Sequence, residues 1–144
     1  MRAVKALVLW GIGGLMYICC ELFFRGYSHW TMFIVGGICF FLIGAINEWI
    51  PWEMPLWQQA IIGAVIVTAV EFVSGCVINI WLGWAVWDYS DIPFNILGQI
   101  CLPFFFVWMA LSVFGIILDD WIRYGIYKLF PNMEERQKPN YKLI

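Results

Sequence analysis

Four long apolar segments dominate this sequence and constrain the fold more than any other feature. They cover about residues 6–24, 30–46, 56–82 and 96–118, and about 20 apolar residues suffice to cross the ~30 Å hydrocarbon core of a bilayer. With 63% hydrophobic and only 12% charged residues, the chain is more apolar than soluble domains, of which about 45–50% is apolar. We therefore predict an all-α, integral membrane four-helix bundle in contact with the lipid bilayer.

The four spans form one predicted transmembrane domain, residues 1–130. The segment 119–130 mixes aromatic and charged residues, which is typical of a short C-terminal interfacial helix at the headgroup level. Residues 131–144, beyond this segment, are expected to form a mobile cytoplasmic tail. Glycines inside the first two spans allow close approach of helices, so we expect tight packing there.

The basic residues are distributed unevenly around the spans. Seven of the eight lie before the first span or after the last: Arg2, Lys5, Arg123, Lys128, Arg136, Lys138 and Lys142. By the positive-inside rule, both termini are predicted to be cytoplasmic in a multi-pass protein of the plasma membrane. Loops 25–29 and 87–91 then face outward. The basic residues form no stripe, so the sequence gives no indication of a nucleic-acid partner.

Ionisable and amide side chains recur in the outer half of the predicted bundle. A charged residue at the centre of a span costs about 2.5–3.5 kcal/mol on insertion scales, so a chain that keeps several must pair them or use them. The predicted polar or substrate-binding site consists of Glu21, Arg25, His29, Glu71, Asn79, Asp88, Asn95 and Gln99.

The spacing of these residues suggests how they are arranged. Glu21 and Arg25 are four positions apart and share a helix face, whereas Glu71 has no basic residue within one turn of its own helix. We therefore predict a network in which Arg25 and His29 join the two glutamates. Asp88, Asn95 and Gln99 are expected to line an outward-facing cavity, because an amide that enters a span needs a hydrogen-bond partner or water.

The sequence assigns no catalytic residue, metal or cofactor. The five cysteines lie in apolar runs without a C-x-x-C spacing, and two carboxylates with one histidine are a weak metal signal. The motifs G-x-x-x-x-G-K-[ST], G-x-S-x-G and H-E-x-x-H do not occur, so hydrolysis of a nucleotide would require a separate subunit.

A short motif is repeated in the two halves. Gly36-Gly-Ile-Cys39 matches Gly98-Gln-Ile-Cys101, and a glutamate-bearing apolar segment precedes each copy. One arrangement that this match favours is a pair of parallel helical-hairpin repeats, with the glutamates facing each other across an axis along the membrane normal.

Several motifs together resemble one known family. They are Glu21-x-x-x-Arg25-Gly-x-Ser28-His29-Trp30, Glu71-Phe-x-Ser-Gly75, Asn79, Trp87-Asp-Tyr-Ser90 and Phe94-Asn-x-x-Gly-Gln-Ile-Cys101. In this combination the chain resembles the bacterial CmpB-like family labelled putative ABC-transporter permease, type IV, over about residues 15–125. The resemblance implies a transport component. Because four helices are few for a permease, it also implies a homo-oligomer or a partner membrane subunit, together with a separate ATPase subunit.

Three functions remain open from the sequence. The first is a small transport component whose polar site binds a solute or a proton. The second is a non-catalytic membrane scaffold or assembly factor, in which the polar layer is a structural lock. The third is a membrane-embedded enzyme acting on lipid or cell-wall precursors, with Glu71 as general base and His29 as acid; enzymatic activity is the less expected of these roles.

Overall fold

The computed structural model describes residues 2–130 and 137–144, and its architecture is helical. The elements are α1 (Arg2–Arg25), α2 (Trp30–Gly44), α3 (Ile46–Trp49), α4 (Leu56–Gly75), a π-helical segment (Cys76–Trp81), β1 (Asn95–Ile96), β2 (Ile100–Cys101) and α5 (Leu102–Leu129). Four helical segments are long and apolar enough to cross a membrane: Ala3–Arg25, Trp30–Trp49, Leu56–Trp81 and Leu102–Leu129. The predicted all-α four-helix membrane bundle is confirmed.

The two ends of the bundle carry different parts of the chain. We call the end where α1 begins and α5 ends the terminal end; it also holds α3 and the turn before α4. The opposite end, where α1 and α4 end and α2 and α5 begin, is the loop end. The predicted site residues lie toward the loop end.

The fourth span begins at Leu102 and not near residue 96, as the sequence predicted. Leu97 and Gly98 adopt φ angles of +53° and +68°, which lie outside the range of a right-handed helix. β1 and β2 pair antiparallel around them, with Asn95 opposite Cys101. The helix starts after this hairpin, and a proline lies in its first turn, where the missing N–H breaks no hydrogen bond.

α5 runs through the region predicted to hold a short interfacial helix. It continues for 28 residues to Leu129, about 42 Å at 1.5 Å per residue, which exceeds the ~30 Å of the hydrocarbon core. The segment 119–130 is therefore the last part of this long helix. Asp119 and Arg123 pair along it at a spacing of four residues, which supports its continuation.

α2 is the central helix of the bundle. It packs against α1, α4 and α5, whereas α1 packs mainly on α2, and α4 on α5. Within an apolar stretch of 18 residues, 67% of the residues are buried in the α2 span and 22% in the α1 span. The three outer helices therefore present most of their apolar surface to lipid.

Glycine and aromatic residues interlock between α1 and α2. A Cβ atom added at Gly13 would fall on the Phe40 side chain, and one added at Gly36 would fall on that of Tyr17. Gly37 lies equally close to Trp10. Each helix thus supplies glycines that receive an aromatic ring of the other, which is the close approach expected from the sequence.

The repeated sequence motif lies in two different local structures. Gly36–Cys39 belongs to the interior of α2, whereas the matching residues 98–101 form the turn and second strand of the β-hairpin. The chain does contain two packed helical pairs, α1 with α2 and α4 with α5. The motif does not occupy equivalent positions in them.

The C-terminal residues 137–144 pack against the terminal end. The Lys142 carbonyl accepts a hydrogen bond of 2.7 Å from the Leu56 N–H at the start of α4, and the Tyr141 ring lies 5.6 Å from that of Trp52. The mobility predicted for residues 131–144 stays a prediction, and residues 131–136 lie outside the described part of the chain.

Candidate functional site

Glu71 is buried on α4 and is held by two neutral donors. Only 5% of the Glu71 surface is exposed. The Tyr89 hydroxyl donates to Oε1 and the Trp108 indole N–H to Oε2, each at 2.8 Å. Among the described residues no cationic side chain bonds to this carboxyl group. Burial, followed by the charge of Glu71, raises the pKa of Tyr89, so the phenol stays protonated and donates.

Aromatic side chains enclose this carboxyl group. The Tyr17 ring of α1 stacks on Trp108 with centroids 6.2 Å apart, and Phe104 stacks on Tyr89 at 4.7 Å. Because such surroundings have a low dielectric constant, the two hydrogen bonds are stronger than they would be in water, and an uncompensated charge costs more. We call Glu71, Tyr89 and Trp108 the Glu71 pocket.

Glu21 forms a second polar group, with Arg25. Arg25 Nη1 lies 2.9 Å from Glu21 Oε1, and the Ser28 hydroxyl donates to Oε2 at 2.5 Å. Arg25 also donates to the Tyr27 hydroxyl at 2.9 Å and to the Val86 carbonyl at 3.3 Å. The pair therefore ties the end of α1 to the loop that follows α4.

No hydrogen bond or ion pair found in the described part of the chain joins His29 to either glutamate. His29 is the N-cap of α2, accepts a hydrogen bond from the Thr31 N–H, and lies 2.8 Å from the Thr31 hydroxyl through Nδ1. Its ring packs on Trp30 and Trp84. Of the predicted four-residue network, the structure brings together Glu21 and Arg25, while Glu71 and His29 each have other partners.

Asn79 and Gln99 bond to each other and hold the loop that joins α4 to α5. Asn79 donates to Gln99 Oε1 at 2.8 Å and accepts from the Val86 N–H at 2.7 Å. The Trp87 indole donates to the Gln99 carbonyl. Gln99 is buried, and its amide group is engaged in this pairing rather than exposed in a cavity.

Asp88 and Asn95 shape the exposed part of the same loop. Asp88 Oδ1 accepts from the Ser90 hydroxyl at 2.5 Å and from the Ser90 N–H at 2.9 Å, and these two bonds lower the pKa of Asp88. Asn95 accepts from the Gly98 N–H at 3.0 Å. Both residues thus have local partners within the loop.

A third polar group, at the terminal end, was not predicted as a site. We call it the terminal-end cluster; its members are Asn47, Glu48, Asp119, Asp120 and Arg123. Asn47 donates to Asp120 Oδ2 at 2.6 Å, while Arg123 bonds to Asp119 and lies 3.6 Å from Glu48. Asp119, Asp120 and Arg123 are all buried. The i,i+4 spacing of Asp119 and Arg123 was the available signal, but their position just after an apolar run indicated a headgroup location.

Two cavities flank these groups. One, of about 340 Å³, is apolar and opens beside α4; it is lined by Val65, Thr68, Ala69, Phe72, Ile96, Ile100 and Phe105. The other, of about 420 Å³, lies at the terminal end and is lined by Trp52, Glu53, Gln137, Asn140, Tyr141 and Lys142. Within residues 2–130 and 137–144, no three His, Cys, Asp or Glu side chains are grouped so that they could hold a metal ion.

Comparison with known protein families identifies a match. The model of the family described as "Putative ABC-transporter type IV" matches residues 3–136, nearly the whole chain. No curated protein and no solved structure matches the chain.

Proposed function

Because the chain belongs to the family described as "Putative ABC-transporter type IV", we propose that this multi-pass membrane protein is a subunit of a transport system that binds a solute or a proton at the Glu71 pocket. The observation that carries the proposal is that the described hydrogen-bond partners of the buried Glu71 carboxyl group are neutral. An ionisable residue within a span is expected to be paired or functional, and Glu71 has two neutral donors as its only described partners.

The chemistry of the pocket favours a cationic solute or a proton. A carboxylate held by neutral donors keeps its negative charge uncompensated, so a positive group that enters the site gains Coulomb energy in a medium of low dielectric constant. Tyr89 belongs to the loop between α4 and α5 and donates to Glu71, and the Phe104 ring of α5 stacks on it. A movement of that loop would open the pocket toward the loop end.

The remaining predicted site residues support this site from its surroundings. The Glu21–Arg25 pair and the Asn79–Gln99 pair fix the loop that carries Tyr89, and Asp88 and Asn95 shape its exposed turn. Seven of the eight basic residues lie at the chain ends. We therefore propose a cytoplasmic location for both termini and an outward orientation of the loop end in the plasma membrane.

The size of the chain supports an assembly. With four candidate membrane-spanning segments among the described residues and no G-x-x-x-x-G-K-[ST] motif in the sequence, a homo-oligomer or a partner membrane subunit is needed to complete a pathway. A separate ATPase subunit is the corresponding energy source.

Two alternatives make different demands on the same residues. An enzyme with Glu71 as base and His29 as acid would need the two side chains at one substrate, but their described contacts share no residue. A scaffold would need the buried polar groups only as structural locks. The fully bonded Glu21 carboxylate fits that role.

Glu71→Gln and Glu21→Gln form a matched pair for testing the transport proposal. Glutamine keeps the shape and an acceptor for Trp108, so we expect Glu71→Gln to stay folded and to lose binding of small cations. Glu21→Gln should instead lower thermal stability, because Arg25 loses a charge-assisted partner. The measurement is thermal unfolding in detergent, with size exclusion, in the presence and absence of ammonium, choline and spermidine.

Either of two results would contradict the proposal. If Glu71→Gln collapses or disassembles as Glu21→Gln does, the Glu71 pocket is a structural lock and the scaffold function is favoured. If wild type and Glu71→Gln respond identically to every cation and to acidification, the carboxyl group does not bind the solute or the proton.

A further inference from the structure

The terminal-end cluster and the polar cavity beside it share one residue, Tyr141. Its hydroxyl donates to Asp120 Oδ2 at 3.1 Å, and its side chain also lines the cavity of about 420 Å³. Glu53, Gln137 and Lys142 at the cavity rim are exposed, so the cavity is open to water. On the side of this cavity, the half-buried Tyr141 phenol therefore lies between solvent and the buried Asp120 carboxyl group.

Among the described residues, Asn47, Asp119 and Arg123 of the cluster each have a buried polar atom without a hydrogen-bond partner. These atoms are Asn47 Oδ1, Asp119 Oδ1 and Arg123 Nη2, and each belongs to a residue that is more than nine-tenths buried. Two are acceptors and one is a donor. A water molecule donates twice and accepts as well, so it supplies the complement of this set, and buried polar groups that lack a protein partner are commonly satisfied in this way.

Charged groups from several elements surround this position. Arg123 forms an ion pair with Asp119 and lies near Glu48 of α3. Lys5 of α1 has a Coulomb interaction with Asp119. Asp120 is the next residue of α5 after Asp119. The three carboxylates Glu48, Asp119 and Asp120 exceed the two cations by one negative charge, and a proton passed from a hydronium ion to a carboxylate, which leaves a water molecule behind, would balance it. Burial, followed by the charge of Asp120, raises the pKa of Tyr141, so its hydroxyl stays protonated and keeps its donor role.

We propose that the terminal-end cluster is a hydrated proton-exchange site, filled from the polar cavity, with the Tyr141 hydroxyl as the relay between the two. A phenol donates one hydrogen bond and accepts others. While the Tyr141 hydroxyl donates to Asp120, its oxygen can accept a hydrogen bond from a water molecule in the cavity. A proton passes inward when Tyr141 gives its hydroxyl proton to Asp120 and takes a proton from that water. This site is distinct from the Glu71 pocket, which lies toward the loop end, and does not depend on it.

Infrared difference spectroscopy of the full chain in lipid tests this proposal, with buffer exchanged between acidic and neutral pH and between H₂O and D₂O. We expect a protonated-carboxyl band that appears reversibly on acidification, shifts in D₂O, and is lost in Asp119→Asn or Asp120→Asn. Glu71→Gln is the control: it should leave this band unchanged, so failure of the proposed transport site and failure of this site give separate results.

Tyr141 variants test the relay. Tyr141→Phe keeps the ring but removes the hydroxyl, and we expect exchange of the carboxyl proton for deuterium to slow by about tenfold or more, since a positioned proton donor is lost. Tyr141→Ala opens the cavity to the cluster and should speed exchange. Equal rates in Tyr141→Phe and wild type would overturn the relay.

A comparison of wild type with Glu71→Gln can overturn the remainder of the proposal. If the high-frequency band of a buried protonated carboxyl group is absent from wild type on acidification, or is removed completely by Glu71→Gln, the cluster does not exchange protons and is only a buried ion-pair lock. This comparison needs no variant of the cluster to fold, so misfolding of Asp119→Asn does not prevent the conclusion.

Discussion

At the residue scale, the two membrane glutamates differ in what compensates their charge. Glu21 has a guanidinium at 2.9 Å and a hydroxyl at 2.5 Å, so its negative charge is balanced within its own group. Glu71 is held by an indole and a phenol. Hydrogen bonds from neutral donors stabilise a carboxylate but leave its net charge in place. When both are ionised, Glu71 is therefore the glutamate whose charge no cationic side chain among the described residues balances.

The hydrogen bond from Trp108 to Glu71 should be measurable as a coupling energy. A double-mutant cycle with Trp108→Phe and Glu71→Leu, each of which removes this hydrogen bond, cancels the cost of the smaller ring because that cost is common to both backgrounds. We expect a coupling of about 1.5–3 kcal/mol, the range for hydrogen bonds to charged groups, against about 1 kcal/mol for neutral ones. Reversible unfolding in detergent gives the four free energies. A coupling near zero would mean that the indole does not hold the carboxyl group.

The turn at Asp88 should lose stability in acid. The Ser90 hydroxyl and N–H lower the pKa of Asp88 in the folded state, so this carboxylate stabilises the turn fully above its ordinary value of about 3.9. That contribution is lost as the pH falls through the lowered folded value. Hydrogen exchange of the Ser90 amide, corrected for its intrinsic pH dependence, should speed up in that range. Asp88→Asn should show no such acid-dependent change.

At the scale of elements, the packing of α1 on α2 explains why α2 occupies the centre. Gly13 and Gly36 remove side chains where Phe40 and Tyr17 insert, so the two helix backbones come close and the aromatic rings fill the space between them. Van der Waals packing of this kind drives helix association in lipid, where the hydrophobic effect is absent. A helix with small residues on several faces can accept three neighbours.

Alanine at two α1–α2 glycines should have opposite effects. Gly36→Ala places a methyl group on Tyr17, and overpacking of this kind costs about 1–3 kcal/mol. Gly11 has no atom within 4 Å of its would-be Cβ, so Gly11→Ala should be neutral or gain up to about 1 kcal/mol from helix propensity. Thermal unfolding in the same detergent compares them. Equal destabilisation by both would show that the interlock does not hold the pair.

The sequence predicted the helices better than the segment before α5. Runs of about 20 apolar residues identify spans because backbone groups in lipid must bond internally. Residues 96–101 are equally apolar, yet the positive φ angles of Leu97 and Gly98 place them in a β-hairpin. Phe94, Leu97 and Ala85 are non-glycine residues with positive φ, and hydropathy contains no information about such backbone conformations.

At the scale of the whole molecule, two polar ends are separated by a mostly apolar middle, in which Ser112 is a buried polar residue. Ile43, Ala64, Val67 and Ile116 are buried between these ends. The residues of the terminal-end cluster come from distant parts of the chain, since Asn47 and Asp120 are 73 positions apart. Helix spacing predicted the Glu21–Arg25 pair because both residues lie on one helix. Contacts across helices, such as Glu71 with Trp108, depend on helix rotation and rotamers, which spacing alone does not fix.

This separation predicts that the two ends open independently. Tyr141→Ala removes the ring contact with Trp52 and the hydrogen bond to Asp120, so amide hydrogen exchange should speed up in residues 45–56 and stay unchanged in residues 88–101. Gln99→Ala removes the partner of Asn79 and should produce the reverse pattern.

Local opening depends on the contacts of the unit that opens, and no hydrogen bond between described residues joins one end to the other. Hydrogen exchange followed by mass spectrometry measures both regions in one experiment. If either variant accelerates exchange at both ends equally, the bundle opens as one unit, and the apolar middle transmits the loss of contacts from one polar end to the other.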